Sequence, residues 1–407
     1  MHRIELELKT VTPAFIGTSD PEKRAEWTAK SVRGHLRWWL RAVLGGELGG
    51  RAEDVREREE KIFGSNKQKS AVKIIARPVG TDGSRDHADG QPFNETELAD
   101  AWGATNPAVR ARLRLNRGSS NPVGYLGYGP IIYDREKKDT VYGRARIRPG
   151  HPLHLLVQWS GAPDHLDSLQ KAMWCWLNLG GIGGRSRRGF GSLACSNVRV
   201  IHGDGALLEP IQTLDQFERE SRTRLASAIV AKSPAEWSHF TSDTRIYVST
   251  KTFEGGWQEA LLAAGAWLIA YRRRYGLSSD ERAKVRNRDY VWLNSPTAGG
   301  VPDRAGFGLP LPFGKGDLVA GWREPKKDGR ESQELKRRGS PLLIHVARFG
   351  TGHHLVFTHM PARFIPKGAQ IHFHGYQDEA TPEQDGIVRD FLDDLESAAK
   401  KRIRRIL

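Results

Sequence analysis

The chain has 407 residues, 38% of them hydrophobic, and carries 63 Lys and Arg against 48 Asp and Glu, a net charge of +15. That length allows two or three domains, each with its own core. Only two cysteines, Cys175 and Cys195, argue against a disulfide framework, and no run of 18 apolar residues reads as a membrane span. The opening MHRIELELKT alternates charged and apolar residues, unlike a secretory signal, so the cytoplasm is the expected compartment. A charge excess of this size predicts a polyanionic partner, of which nucleic acid is the commonest; a merely solvated basic surface is the alternative.

In chain order, Ile4, Leu6 and Leu8 alternate with Glu5, Glu7 and Lys9, the pattern of a strand with one buried face. The polar loop GTSDPEKRAEWTAK leads into SVRGHLRWWLRAVLGG, where Val32, Leu36, Trp39, Leu40 and Val43 form one helical stripe and Gly45-Gly46 mark its end. An acidic-basic linker precedes a strand, AVKIIARPV, and residues 80–122, rich in Gly, Asp, Asn and Ser, read as an insertion. PVGYLGYGPIIYD is a strand or hairpin broken by glycines, and HPLHLLVQWS is a strand. DHLDSLQKAMWCWLNLGG is a helix with Leu166, Leu169, Met173, Trp176 and Leu177 on one face, and SLACSNVRVI is a closing strand. This α+β order of strand, helix, strand, strand, helix, strand is that of a ferredoxin-like domain.

The second half repeats the order in degraded form. TRIYVSTKTF is a strand, and GGWQEALLAAGAWLIAYRRRYG is a helix with Leu262, Ala266 and Ile269 inside. SPLLIHVARFG and HHLVFTHMP form a hairpin, and TPEQDGIVRDFLDDLESAAKKRI is a last helix, N-capped by Thr381 with Glu383 in its first turn. No final strand is evident before Leu407. The expected organisation is a domain over 1–205 with its insertion near 80–122, a linker over 206–240, and a divergent second copy over 241–407.

Three features carry the functional reading. Arg33, Arg37 and Arg41, four residues apart, share one face of the first helix. Like charges at that spacing cost a few tenths of a kcal/mol per pair, roughly, so an external anion or the acids Glu22, Glu26 and those at 53–60 must neutralise them. Lys30 and the aromatic Trp38 beside the stripe favour an RNA-facing role, since an exposed ring stacks an unpaired base for ~1–3 kcal/mol. The second feature is GGIGGRSRRGFGS, residues 180–192, with six glycines, three arginines and no acid. It follows a helix, and Ser186 stands where a dinucleotide fingerprint needs its third glycine; a phosphate-binding loop of the NTPase type needs a lysine that is absent. What remains is a bare-backbone loop whose amides a sugar-phosphate chain can approach, with Arg185, Arg187 and Arg188 supplying charge. A flexible surface turn is the plainer alternative, at an entropic cost.

These segments resemble a known family. GGIGGRSRRGFGS is similar to the glycine-rich loop of the RAMP superfamily of CRISPR-associated proteins. TPAFIGTSD followed by SVRGHLRWWLRAVLGG resembles, more specifically, the first-numbered subunit family of the type III-B Cmr effector complex, and GYLGYGPI and RRGSPLLIHV are similar to further blocks of it. The resemblance implies two tandem ferredoxin-like (RRM-like, RAMP) domains, the second degraded. It also implies a structural, non-catalytic subunit of an antiviral, RNA-guided complex, near the 3′ end of the guide. Its partners would be CRISPR guide RNA, target RNA and other RAMP subunits, with no membrane and no cofactor. Carried onto this chain, the RNA-contact candidates are Lys30, Arg33, Arg37, Trp38, Arg41, Gly183, Gly184, Arg185, Ser186, Arg187 and Arg188. In the second half the corresponding glycine loop would be AGFGLPLPFG.

The third feature is histidine. His35 lies in the first helix, where some RAMP relatives carry the base of a metal-independent ribonuclease, so a CRISPR RNA-processing endoribonuclease is the alternative reading; it needs a base near the 2′-hydroxyl and a cation for the phosphate. Six histidines fall between His345 and His374, and His372 and His374 would share a strand face suited to zinc, but acids are scarce there and the expectation is no metal. The basic clusters REPKKDGRESQELKRRG and KKRIRRIL suit either a phosphate backbone or an acidic neighbouring protein, the third reading being an assembly subunit with acidic protein partners only.

Overall fold

The computed structural model describes residues 2–78, 122–134, 136, 139–202, 208–232, 235–272, 303–309, 311–312, 319–323, 334–335, 338–364, 370–373, 376–379, 383–398 and 403–407. Residues 79–121 of the expected insertion, Thr381, and most of the 323–339 basic cluster lie outside them.

The first half runs β1 (His2–Thr10), α1 (Ala29–Glu47), α2 (Ala52–Phe63), β2 (Val72–Pro78), a short α3 (Pro122–Leu126), the β3 (Ile131–Asp134) and β4 (Asp139–Tyr142) hairpin, β5 (Pro152–Trp159), α4 (Leu166–Leu179) and β6 (Leu193–His202). Its main sheet has the order β2-β5-β1-β6, all antiparallel. Ile4, Leu6 and Leu8 are buried on one face of β1 as their alternation requires. α1 buries Val32, Leu36, Trp39, Leu40 and Val43 against that face, with Thr28 capping its start by accepting from the Ser31 amide. The helix does not stop at Gly45-Gly46. It continues to Glu47, and Gly46 serves close packing instead: a Cβ there would sit 1.7 Å from the Ala228 carbonyl oxygen. Two other expectations change: the acidic-basic linker is the amphipathic α2, and PVGYL is a helical turn rather than the start of a strand.

A helix, α5 (Leu214–Leu225), follows within the stretch expected to be linker, burying Phe217 and Leu225. The second half then runs β7 (Arg245–Ser249), α6 (Gly256–Arg272), β8 (Leu311–Pro312), β9 (Val319–Arg323), β10 (Glu334–Leu335), β11 (Leu342–Phe349), β12 (Gly352–His359), β13 (Gln370–Phe373), β14 (Tyr376–Glu379), α7 (Glu383–Ala398) and β15 (Ile403–Arg405). β11 and β12 form the expected hairpin, and the sheet order is β11-β12-β7-β15. The final strand judged missing is present: β15 pairs antiparallel with β7 through Ile403↔Ser249 and Arg405↔Tyr247. Its three residues are too few, and too basic, for period-two patterning to register. A further sheet of β8, β9, β10, β13 and β14 had no sequence signal. The architecture is thus α+β, with helices packed on antiparallel sheets.

The two cores interlock. Ile246, Val248, Leu343, Phe349, Val356 and Ile406 of the second half join the apolar cluster of the first sheet, while Val11, Phe15 and Phe190 join that of the second. Because β15 closes the second sheet, Ile403, 2% exposed, anchors the end of the chain. Ile403→Ala should lower unfolding free energy by about 2–5 kcal/mol. Arg404→Ala removes only a half-exposed ion pair with Glu218 and should change it by about 0–1 kcal/mol. Urea titrations of the two variants distinguish a folded closing strand from a solvated basic tail.

Candidate nucleic-acid interface

The glycine segment leaves α4 at Gly180 and folds back on itself before β6. The Ile182 amide donates to the Gly191 carbonyl, and the Gly184 amide donates to that of Phe15, beyond β1. Gly183 and Gly191 have φ of 81° and 67°, and a Cβ on either would fall 2.4 Å from the Phe15 oxygen or 1.9 Å from that of Ile182. The bare backbone at these positions is therefore filled by the chain itself. The one exposed glycine of the loop is Gly184, where a Cβ would meet only ordinary contacts.

The three loop arginines separate. Arg187 donates through Nη1 to the Ser340 carbonyl (2.9 Å), and its guanidinium carbon lies 4.9 Å from the centre of the Trp38 ring. Arg188 donates through Nη2 to the Phe307 carbonyl (3.0 Å), its Nη1 is buried without a partner, and its backbone bridges to Ile344. Burial holds both guanidiniums down to about 10, with Arg338 and Arg188 adding repulsion at Arg187; both stay charged at neutral pH. Arg185 has a φ of 60°, and its guanidinium carbon lies 5.8 Å from the centre of the exposed Tyr128 ring.

The arginine stripe of α1 is mostly paired within the chain, by an acid of the 53–60 segment, one of the two alternatives its spacing allows. Arg37 and Arg41 reach the buried carboxylate of Glu59 on α2 at 2.5 and 3.5 Å. Arg33 donates to the carbonyls of Phe63 and Val72 and to the Ser70 hydroxyl, all at 3.4 Å. The anion these charges needed is an amphipathic helix one turn downstream.

A different face of α1 lines a groove of about 970 Å³. Lys30, Ser31, Gly34, His35 and Trp38 form one wall; Gly180, Gly181, Gly183, Gly184, Ser186 and Arg187 form the second. The loop after β1, from Phe15 to Ser19, completes it together with Arg24, which pairs with Glu26 at 3.7 Å. The positive end of the α1 dipole opens here with no acid in the first turn, and Lys30 is exposed with no ion pair among the described residues. So the structure brings together Lys30, Trp38, Gly183, Gly184, Ser186 and Arg187, and separates from them Arg33, Arg37, Arg41, Arg185 and Arg188. The groove's third wall was not assigned from sequence, although TPAFIGTSD was one of the segments carrying the resemblance.

His35 also lines the groove, and its Nε2 accepts from the Gly183 amide at 3.0 Å. Burial and the nearby Arg187 charge hold it down to about 4, so the ring is neutral, with Nδ1 carrying the proton. Across the seam, the His345 Nδ1–H donates to the Gly180 carbonyl at 2.5 Å, and burial holds that ring to about 4 as well. His354 is likewise bonded to a backbone carbonyl, of Ser249, and His359 is buried. Among the described residues no three potential ligands gather to hold a metal. The side chain of His372, and His374 altogether, lie outside those residues. AGFGLPLPFG is described only in part: Ala305 and Phe307 are in a single 3₁₀ turn, and Phe307 receives Arg188.

Buried histidines held below the ordinary 6.5, His35 and His345 at about 4 and His359 at about 3 among them, make stability pH-dependent. Below pH 6.5 the unfolded chain binds protons that the folded chain refuses, so the contribution of these rings should be constant above about 6.5 and decline as pH falls from 6.5 toward about 3. Each unit of difference is worth about 1.4 kcal/mol. His345→Asn keeps a donor for Gly180 without titrating, and should make the decline visibly shallower in denaturant midpoints measured from pH 7.5 to 4.5.

Residues 7–194 match the RAMP superfamily. The chain is 29% identical to the CRISPR system Cmr subunit Cmr1-2 of Pyrococcus furiosus over 205 residues, which are 49% of this chain and 99% of that protein. It is 24% identical to Cmr1-1 of the same organism over 213 residues, 52% of each chain. In fold it is similar to the crystal structure of Cmr1 from Pyrococcus furiosus in its apo form, with a TM-score of 0.57 at 19% identity over 100% of this chain and 99% of that one. It is also similar to a chain of the type III-B Cmr-beta complex solved with cognate target RNA, with a TM-score of 0.51 at 13% identity, covering 97% and 99%. Among the described residues no helix is long and apolar enough to cross a membrane. The match to the RAMP superfamily lies in the first half of the chain, and the whole chain is similar in fold to a Cmr1 subunit of a CRISPR Cmr system.

Proposed function

We propose that this protein is a non-catalytic, RNA-binding structural subunit of a type III-B CRISPR effector complex. It would act in the cytoplasm, holding guide or target RNA near the guide 3′ end and contacting neighbouring RAMP subunits. The observation that carries the reading is the groove between α1 and the glycine loop, where Lys30, Arg187, the α1 N-terminus and the Trp38 ring combine positive charge with an aromatic surface. Phosphate attraction and base stacking are the two terms that hold single-stranded RNA without reading its sequence. The +15 charge and the similarity to Cmr1 proteins support the same reading. Two tandem ferredoxin-like domains, over 1–205 and 241–407 with 206–240 between them, describe the organisation best: each of the two sheets has its strands in the order second, third, first, fourth. No metal or cofactor belongs to the reading.

Within the groove we assign phosphate contact to Lys30, Gly184, Ser186 and the Arg187 guanidinium, and base contact to Trp38. Gly183 and His35 shape the loop through their mutual hydrogen bond. The alternative, an endoribonuclease with His35 as base, is disfavoured by that bond, since the Nε2 lone pair is already engaged and Nδ1 holds its proton.

The test is binding of a labelled single-stranded RNA of guide length across a salt series. Lys30→Ala should weaken binding and reduce the salt slope by about 0.7, the contribution of one phosphate on a single strand. Arg187→Ala should lower both affinity and melting temperature, because the same guanidinium holds the Ser340 carbonyl. Absence of binding by the wild type at low salt would favour an assembly subunit with acidic protein partners. RNA cleavage that disappears in His35→Ala would favour the nuclease.

A further inference from the structure

We propose that Tyr128 and Arg185 form a second base-stacking platform, on the far side of the glycine loop from the groove, for a nucleotide of the same RNA strand. This rests on the reading of the groove as an RNA site and extends it by one contact.

Four observations converge on it. Tyr128 is 63% exposed, in a protein whose described aromatic side chains otherwise go largely into the cores. Its position is fixed from beneath. The Gly127 amide donates to the Val123 carbonyl, and the Ile131 amide to that of Gly127. A Cβ on Gly127 would strike Ile131 and lie 3.1 Å from Phe190, so this turn is packed directly on the glycine segment. Phe190 packs at a tilt against Phe15 with ring centres 5.3 Å apart, and Phe15 against Tyr142 of β4 at 5.9 Å. Phe190, itself packed against Phe15, thus supports the turn that holds Tyr128 out. Tyr128 is not a loose side chain but an apolar plane presented on a packed support.

The cation belongs to the same construction. The Arg185 guanidinium carbon lies 5.8 Å from the centre of the Tyr128 ring. A Cβ on Gly129, whose φ is 102°, would come 3.7 Å from Arg185 Nη2. Among the described residues Arg185 is the one non-glycine with positive φ, a conformation that costs an L-residue about 1 kcal/mol or more. The turn it opens, closed by the Arg188 amide on the Arg185 carbonyl at 2.8 Å, sends Arg187 and Arg188 inward and Arg185 toward Tyr128. A planar guanidinium beside a phenol ring offers a base a π surface and its phosphate a charge, the pairing that single-strand binders use.

Continuity with the groove decides what the platform takes. Gly184, the exposed glycine, lines the groove, and the next residue is Arg185. A strand whose phosphates cross the loop at Gly184 therefore passes from Trp38 to Tyr128 over one bare residue. A single-stranded RNA fits this arrangement, because its unpaired bases can rotate to opposite sides of the backbone.

The experiment measures affinity of full-length protein for a labelled single-stranded RNA of guide length, in wild type, Tyr128→Ala, Tyr128→Phe, Arg185→Ala and Lys30→Ala, with melting temperatures alongside. Tyr128→Ala should weaken binding about five- to a hundredfold, the range for losing one stacked base, at unchanged salt slope and melting temperature. Tyr128→Phe, which keeps the ring, should bind like wild type. Arg185→Ala should weaken binding and reduce the slope. Wild-type affinity in Tyr128→Ala, with Lys30→Ala still impaired, would overturn the platform while leaving the groove intact. Loss of affinity in both Tyr128→Ala and Tyr128→Phe would overturn stacking in favour of a hydroxyl contact. Failure of the wild type itself to bind RNA would overturn the groove reading, and the platform with it.

Discussion

Everything in this molecule passes through the short turn from Gly180 to Ser192, which has to satisfy the hydrogen bonds of two sheets at once. Toward the first half its amides at Gly184 and Gly191 donate to Phe15 and Pro13. Toward the second, the Ile344 amide donates to the Arg187 carbonyl, the Val346 amide to the Ser192 hydroxyl, and His345 to the Gly180 carbonyl. The edge strand β11 is thereby completed by the loop rather than left open, as a sheet edge requires. A side chain at Gly183 or Gly191 would block the approach of its neighbour. The glycines are explained by protein packing first, and by any ligand second.

Charge follows the same logic. Arg187 and Arg188 leave water to bind carbonyls of the opposite half, a costly burial that hydrogen bonds to those oxygens and, for Arg187, the Trp38 ring help offset. Arg37 and Arg41 share one buried carboxylate, Glu59. Much of the conspicuous basic patterning is structural, and the positive potential facing solvent at the groove comes from Lys30, the α1 dipole and the residual field of the buried guanidiniums. Arg187 does two jobs, joining the halves while its guanidinium lies over Trp38 in the groove. The groove wall that Arg187 forms is thus part of the seam between the halves.

Most of the first half was legible in the sequence because its elements are long and strongly periodic: β1, α1, α4 and β6 all lie where alternation or a helical stripe put them. β15 and the sheet of β8, β9, β10, β13 and β14 were not legible, because strands of two to five residues carry too few positions for a period to show. α2 was hidden by charge. Its Val55, Glu59, Ile62 and Phe63 face inward, but the residues between them read as a solvated linker.

The sequence by itself determined the α+β order, the glycine segment as the central feature and the basic and aromatic residue types that line the groove, since these depend on local periodicity and chemistry. Which arginines meet solvent was decided only by tertiary structure. A guanidinium's partner is set by what folds within about 3 Å of it, and Glu59, Ser340 and Phe307 lie 22, 153 and 119 residues from the arginines they receive. Spacing along a chain cannot encode such distances; the packing of α2 on α1, and of one half on the other, does.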